Sequence, residues 1–181
     1  MLLPIATFAA PGRLLRRFFR NRRGSAAVEF AIIAPVFFAM IFAIIETALV
    51  FFAGQVLETA VQDTGRAFFT STTVSKTDYE TAICNRIKVL MDCTKVRNDV
   101  QTYAAGTVFT IADPIDSSGK FVDSFSYNPP ASTDTTSTVV VRSYYQWPLF
   151  VTGLGYNIAN VNRGGSNSSR LLTATAAYRP Q

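Results

Sequence analysis

Arg22-Arg-Gly-Ser-Ala-Ala-Val-Glu-Phe30 opens the one apolar stretch of this 181-residue chain that is long enough to cross a membrane. No charged residue lies between residues 30 and 45, and apolar residues continue on either side of this segment, across Glu29 and Glu46. A helix of about 20 apolar residues crosses the hydrocarbon core of a bilayer. We therefore predict one transmembrane helix at residues 25–53.

Basic residues are concentrated before this helix. Residues 1–24 contain six Arg and no acid, whereas the rest of the chain holds 11 Lys and Arg against 12 Asp and Glu. Because Lys and Arg beside a membrane helix stay on the cytoplasmic side, this basic leader predicts a cytoplasmic N-terminus and a C-terminal part across the membrane. A nucleic-acid-binding protein would carry its basic residues on a folded face, so no nucleic acid is predicted as a partner.

The composition argues against an enzyme. The chain has no His, which removes the commonest general base and the commonest metal ligand. Neither a phosphate-binding Gly-rich loop nor a Gly-x-Ser-x-Gly nucleophile elbow occurs in the sequence. We expect no catalytic residue, no metal ion and no cofactor.

The two cysteines, Cys84 and Cys93, follow the predicted membrane helix. An even number of cysteines in an oxidising compartment favours a disulfide; the alternative is two buried free thiols. If residues 84–93 were all helical, the two Cα atoms would lie about 13 Å apart, whereas a disulfide needs less than about 7 Å. A bond would therefore require the helix to end between the two cysteines.

The chain after the membrane segment divides into two parts. Residues 54–70 continue the helical spacing of apolar positions, and residues 71–181 form a separate domain. A capping box at residues 77–80 predicts a second helix that ends near residue 91. Its predicted apolar face consists of Tyr79, Ile83, Ile87 and Leu90.

Residue patterns typical of strands replace helical patterns after Cys93. Runs of β-branched and aromatic residues favour strands, and they occur at residues 108–111, 121–125, 136–147 and 171–178. The predicted fold class is therefore α+β. A long N-terminal transmembrane helix continues into a small domain with a packed helix and an antiparallel sheet.

Glu29 and Gly24 are the residues that most directly suggest a function. A carboxylate near the start of a membrane helix is costly and is by default a functional-site hypothesis. The flexible backbone of Gly24 suits a protease cleft, and a cut after it would make Ser25 the new N-terminus and Glu29 the fifth residue. The Glu29 carboxylate could then neutralise the terminal amine of a neighbouring subunit. The alternative is that it stabilises the N-terminus of its own helix through the dipole.

Three further features of the membrane segment bear on assembly. Glu46 lies near the far end of the apolar stretch, either as an interfacial residue that reaches water or as a polar contact to a partner helix. Pro35 predicts a kink, and neighbouring subunits could satisfy the carbonyl that it frees. Lipid-facing or helix-packing surface is expected for Phe37, Phe38, Phe42, Phe51 and Phe52.

The run from Gly24 to Ala31, with Pro35 and Ile45-Glu46 downstream, resembles the TadE-like family. This family comprises pseudopilins, the minor pilin-like subunits of the tight-adherence (Flp, type IVc) pilus systems of bacteria. The resemblance covers about residues 22–66. The cysteine pair and residues 145–149 fit the family more loosely.

The resemblance implies a substrate of a prepilin peptidase that cleaves between Gly24 and Ser25, with Glu29 and Phe30 completing the processing motif. It implies a single-pass protein of the bacterial inner membrane, with a cytoplasmic N-terminus and a periplasmic C-terminal domain. The implied partners are TadF-like minor pseudopilins, the major Flp pilin, the inner-membrane assembly platform and membrane lipid. The subunit would serve assembly of an adhesive pilus. The alternative is an uncleaved anchor that tethers a periplasmic binding domain to the assembly machinery or the cell wall.

Overall fold

The computed structural model describes residues 24–70, 74–108, 110–131, 134, 136–154, 156–165 and 167–179. The chain divides into two compact units, Met1–Ile41 and Phe42–Gln181. The described residues of the first unit belong to the beginning of one long helix. The second unit contains the rest of that helix together with all the other helices and strands described.

Helix α1 (Ser25–Gly65) has 41 residues and includes Pro35. Among the described residues it is the one helix long and apolar enough to span a membrane, with a mean hydropathy of 2.6 in its most apolar window. The predicted long apolar helix is thus confirmed. Its helical structure continues through Pro35, and the kink expected there stays a prediction.

Two shorter helices follow α1. Helix α2 (Ala67–Thr70) is a single turn, and helix α3 (Lys76–Ile87) has 12 residues. The N-cap of α3 is Ser75, whose Oγ accepts the backbone N–H of Asp78 at 3.1 Å. The capping box predicted at residues 77–80 is therefore wrong by two positions, because Ser75 and Asp78 already supply the cap and the acidic residue three positions on.

Helix α3 ends earlier than the sequence predicts. Tyr79, Ile83 and Ile87 are buried as expected, but the helix stops at Ile87 and not near residue 91. The backbone N–H of Lys88 still bonds the carbonyl of Cys84 at 2.9 Å, and a turn follows. The chain is therefore free to reverse before the second cysteine.

A disulfide joins Cys84, in the last turn of α3, to Cys93, which opens a short 3-10 helix at Cys93–Lys95. The two Cα atoms are 5.3 Å apart, inside the range that a disulfide requires. The helix ends between the two cysteines, as the geometry of a bonded pair demands. The bond fastens the end of α3 to the start of the sheet.

Three strands form one antiparallel sheet in the order β1-β2-β3. They are β1 (Arg97–Tyr103), β2 (Thr138–Pro148) and β3 (Ser169–Tyr178). The strands predicted at residues 136–147 and 171–178 are confirmed as β2 and β3. The α+β class is confirmed with them.

The sequence interpretation missed β1 and placed two strands wrongly. β1 reads Arg-Asn-Asp-Val-Gln-Thr-Tyr, with five polar or charged residues among seven, so its few β-branched and aromatic residues give only a weak strand signal. The described residues within 108–111 lie outside any strand. Segment 121–125 contributes a single isolated bridge, between Phe121 and Ile115. Its aromatic rings pack on the sheet instead of extending it: Phe125 stacks on Tyr144 at 4.7 Å between ring centroids.

The inner face of the sheet packs on the helices to form the main core of the domain. Helix α1 contributes buried residues from Val50 to Val61, so this part of the long helix belongs to the domain's own core. Members of the core include Ala53, Leu57, Ala60, Ile83, Val139, Val141 and Leu172. A second, smaller cluster of Tyr144, Val161 and Leu171 covers the outer face.

Candidate functional site

The residues predicted for processing lie together at the start of α1. Gly24 directly precedes the helix, and a Cβ added there would meet no atom within 4 Å. Glu29 is exposed one turn into the helix, and the side chain of Phe30 is 68% exposed. A backbone that is to enter a protease cleft must be accessible, and this segment meets that requirement.

The phenylalanines of α1 form an exposed apolar surface. The exposed fractions of their side chains are 56% for Phe37, 49% for Phe38, 53% for Phe42, 72% for Phe51 and 58% for Phe52. Soluble monomeric proteins rarely present large apolar surfaces to water. A lipid or a partner helix is the environment that suits this surface.

Glu46 lies on α1 at the point where the domain begins to pack on the helix. It is 5% exposed, and its carboxylate accepts the backbone N–H groups of Phe150 and Val151, the latter at 3.1 Å. A buried carboxylate is costly unless it is hydrogen-bonded, and these two donors supply the bonds. The sequence analysis predicted an interfacial residue or a contact to a partner helix, and did not predict this contact within the chain. Nothing in the sequence of the loop after β2 indicates that it lies against α1. A role for Glu46 in assembly stays a prediction.

A second bond attaches the same loop to α1. The hydroxyl groups of Thr47 and Tyr156 lie 3.1 Å apart, so two successive helix residues hold the chain that follows β2. The loop nevertheless leaves the side chain of Phe150 82% exposed. The end of β2, Tyr145-Gln-Trp-Pro148, therefore leads through Leu149 into a segment fixed to α1 by its backbone.

The far end of α1 is attached to both the sheet and helix α3. The hydroxyl of Tyr178 donates to the carbonyl of Gln62 at 2.7 Å, and Arg86 pairs with Asp63 at 2.9 Å. Gly65 allows the tyrosine ring to approach, since a Cβ there would lie 2.3 Å from a ring carbon of Tyr178. The end of the Tyr178 side chain thus occupies the space that a Cβ at this position would need.

The sheet contains a buried ion pair that the sequence interpretation missed. Arg142 is 6% and Asp99 1% exposed, and Nε of Arg142 donates to Asp99 at 3.0 Å. The same aspartate accepts the backbone N–H of Ser126 at 3.1 Å. A single Arg within Val-Val-Val-Arg was the available signal, because a charge inside an apolar strand requires a buried partner. The pair holds the segment before β2 against the sheet.

Two tyrosines of the domain, Tyr79 and Tyr127, have raised pKa values, which favours their neutral form. Burial raises the pKa of Tyr79 well above its usual range, although its hydroxyl lies 3.4 Å from that of Ser143. Burial also raises the pKa of Tyr127 to about 12, and its hydroxyl donates to the carbonyl of Val74 at 2.8 Å. These groups act as neutral hydrogen-bonding parts of the core.

Among the described residues, no group of three or more His, Cys, Asp or Glu side chains is arranged to hold a metal ion. The carboxylates that are well ordered by hydrogen bonds lie apart from one another: Asp134 bonds to Ser137, and Asp116 bonds to Ser118 and Lys120. The features that remain as candidates for function are the start of α1, its exposed apolar surface and the loop held by Glu46.

Helix α1 is exposed, apolar and long enough to span a membrane, and a second helix and an antiparallel sheet follow it in the chain. The family model described as TadE-like protein matches residues 24–66. This is the family of minor pilin-like proteins of Tad/Flp pili; the match covers less than half of the chain and confirms the resemblance over α1. Neither a curated protein nor a solved structure matches the chain.

Proposed function

We propose that this chain is a minor pilin-like subunit that a prepilin peptidase cleaves after Gly24 and that serves assembly of a Tad/Flp pilus. The observation that carries the proposal is the position of the family match. It begins at Gly24 and ends one residue after α1, so it covers the exposed start of the helix and its apolar surface. The proposed role is structural and involves no catalysis by this chain.

In this mechanism, α1 first lies in the inner membrane with the domain on the periplasmic side. Cleavage after Gly24 leaves a positive amine on Ser25, at the N-terminus of a helix in an apolar environment. An amine and a carboxylate that are both removed from water are each costly unless they pair. The carboxylate of Glu29 in a neighbouring subunit can neutralise the amine and set the axial register between the two helices.

The apolar surface of α1 serves both locations of the subunit. In the membrane it contacts lipid; in an assembly it packs against helices of other pilin-like subunits and the major pilin. Helix packing in lipid relies on close van der Waals contact and on hydrogen bonds between helices. Pro35 offers one such opportunity, because it removes a backbone N–H and frees a carbonyl inside the helix.

The assembly step is tested by removing the charge of Glu29 while its shape is kept. We expect Glu29→Gln to insert normally and to reduce the number of pili in a host that lacks its own copy of the chain. The matched control is Glu58→Gln, which neutralises another exposed glutamate of α1 beyond the membrane segment. Normal pilus numbers with Glu29→Gln would contradict the pairing mechanism.

The processing step is tested separately with Gly24→Leu in cells that contain the peptidase. We expect the variant to keep its full mass, whereas Gly54→Leu, the same change at an uncrowded site of the same helix, should be processed. If wild-type protein keeps its full mass and pilus numbers do not depend on the chain, the uncleaved anchor becomes the better account.

A further inference from the structure

The loop after β2 presents an aromatic side chain at the level where α1 leaves the membrane. The segment 149–154 follows β2 and includes a short 3-10 helix at Val151–Leu154. Its Phe150 side chain is 82% exposed, although the backbone N–H groups of Phe150 and Val151 are fixed by the buried Glu46 carboxylate. The side chain of Phe150 is therefore available to a partner, while its backbone is held in place.

The position of this segment relative to the membrane follows from the length of α1. The 20 residues of helix from 26 to 45 span about 30 Å, which matches the hydrocarbon core of a bilayer. Glu46 and Thr47, the two residues that hold the loop through Phe150, Val151 and Tyr156, come directly after that span. Counted from residue 26, the hydrocarbon core ends at residue 45, so the end of the segment predicted at residues 25–53 enters the headgroup layer together with the loop.

The neighbouring surface of α1 has the same character. Leu49, Phe51 and Phe52 are 45%, 72% and 58% exposed, and Tyr156, which bonds Thr47, is 42% exposed. Aromatic side chains are enriched at the interface between membrane and water. Residues 47–57 of α1 include no charged residue.

We propose that the segment 149–154 is a second membrane contact, in which Phe150 enters the outer boundary of the bilayer that α1 spans while Glu46 holds the backbone in place. The inference rests on the proposed membrane anchoring of α1. It goes beyond that role, because it gives the domain a fixed orientation on the membrane surface before assembly. The subunit must release this contact when it leaves the bilayer.

The test uses the full chain in lipid vesicles whose acyl chains carry bromine, which quenches nearby tryptophan. Trp147 is the only tryptophan, so every variant carries Trp147→Phe, a change that keeps an aromatic ring beside Tyr145. Phe150→Trp reports on the loop, and Phe38→Trp, in the apolar part of α1, reports on insertion of the helix. The control is Val108→Trp, because Val108 is also an apolar residue and is 100% exposed.

Val108 is a distant control because it follows β1. The last residue of β1, Tyr103, pairs with Thr138 at the start of β2, whereas Phe150 follows Pro148 at the other end of β2, about 33 Å away along a strand. The proposal therefore expects strong quenching and a blue-shifted emission for Trp at positions 38 and 150, with little quenching at 108.

Each other outcome overturns the proposal. Quenching at position 38 but not at 150 leaves the membrane helix intact and removes the loop contact. A blue shift at 150 without quenching means that protein, for example a second copy, covers the loop. Quenching at all three positions indicates non-specific adsorption of the domain, and quenching at none means that the chain does not insert, which also refutes the membrane anchoring on which the inference rests.

Discussion

Gly65 lies at the end of α1, where the side chain of Tyr178 from β3 packs on the helix. Its replacement tests this contact between the helix and the sheet. A Cβ at this position would lie 2.3 Å from Cε2, 2.6 Å from the hydroxyl oxygen and 2.7 Å from Cζ of Tyr178. Carbon atoms in contact are normally about 3.5 to 4.0 Å apart. In Gly65→Ala the tyrosine ring must therefore move by more than 1 Å, on the order of the difference between those distances.

The expected cost can be worked from what the ring would lose. The hydrogen bond from Tyr178 to the carbonyl of Gln62 contributes about 0.5 to 1.5 kcal/mol, and overpacking adds about 1 to 3 kcal/mol. The better helix propensity of Ala returns about 0.5 to 1 kcal/mol. Together these contributions should lower the free energy of unfolding of Gly65→Ala by about 0.5 to 4 kcal/mol.

The assay is denaturant unfolding of the full chain in detergent micelles, followed by the fluorescence of Trp147. Gly54→Ala is the matched control, because it makes the same change in the same helix with no atom within 4 Å, and it should be neutral or stabilising. In the background Tyr178→Ala the cost of Gly65→Ala should disappear, since the ring is gone. A Gly65→Ala variant as stable as Gly54→Ala would refute the packing argument.

Three further predictions concern the domain. Glu46→Leu leaves two backbone N–H groups of the segment 149–154 without an acceptor, so it should lower the free energy of unfolding by about 2 to 5 kcal/mol. Glu46→Gln keeps one acceptor oxygen and should cost less. Equal stability of Glu46→Leu and wild type would contradict the contact. Cys84→Ser should cost about 2 to 4 kcal/mol, and wild-type protein treated with a reductant should match it; no difference in unfolding with and without reductant would argue against the bond. The hydrogen bond from Ser137 lowers the pKa of Asp134 to about 2, so the stabilising effect of the ionised carboxylate is complete above about pH 4 and is lost as the pH falls toward 2. Asp134→Asn should therefore reduce the loss of stability between pH 4 and 2 in unfolding experiments. An unchanged loss in this pH range would refute the assignment.

The elements that the sequence predicted well are those with strong local patterns. Helix α1 follows from a long apolar stretch, and β2 follows from a run of β-branched and aromatic residues. The face of α3 follows from the spacing of Tyr79, Ile83 and Ile87. In each case the local preference and the final burial agree, so the sequence carries enough information by itself.

The features that the sequence did not predict depend on distant contacts. β1 is a polar edge strand whose place is set by pairing with β2, including the buried contact of Asp99 with Arg142. The position of Glu46 is decided by a loop more than 100 residues later in the chain. No local pattern reports such a contact, although a single charge in an apolar segment does indicate that some partner must exist.

The candidate processing site could be proposed from the sequence for the opposite reason, and it stays a prediction. Gly24, Glu29 and Phe30 lie within a few residues of one another, so their spacing is visible without any knowledge of the fold. What the sequence could not provide is the surroundings of the far end of the apolar helix. There the fold joins Glu46, Thr47 and the loop into one unit, and this unit is the basis of the proposed second membrane contact.

The most direct test of the account is the N-terminal residue of the mature protein, determined by mass spectrometry on protein extracted from the membranes of its own host. The account predicts that the chain begins at Ser25. A chain that retains residues 1–24, in cells with an active prepilin peptidase, would contradict the pilin-like role and leave an uncleaved membrane anchor.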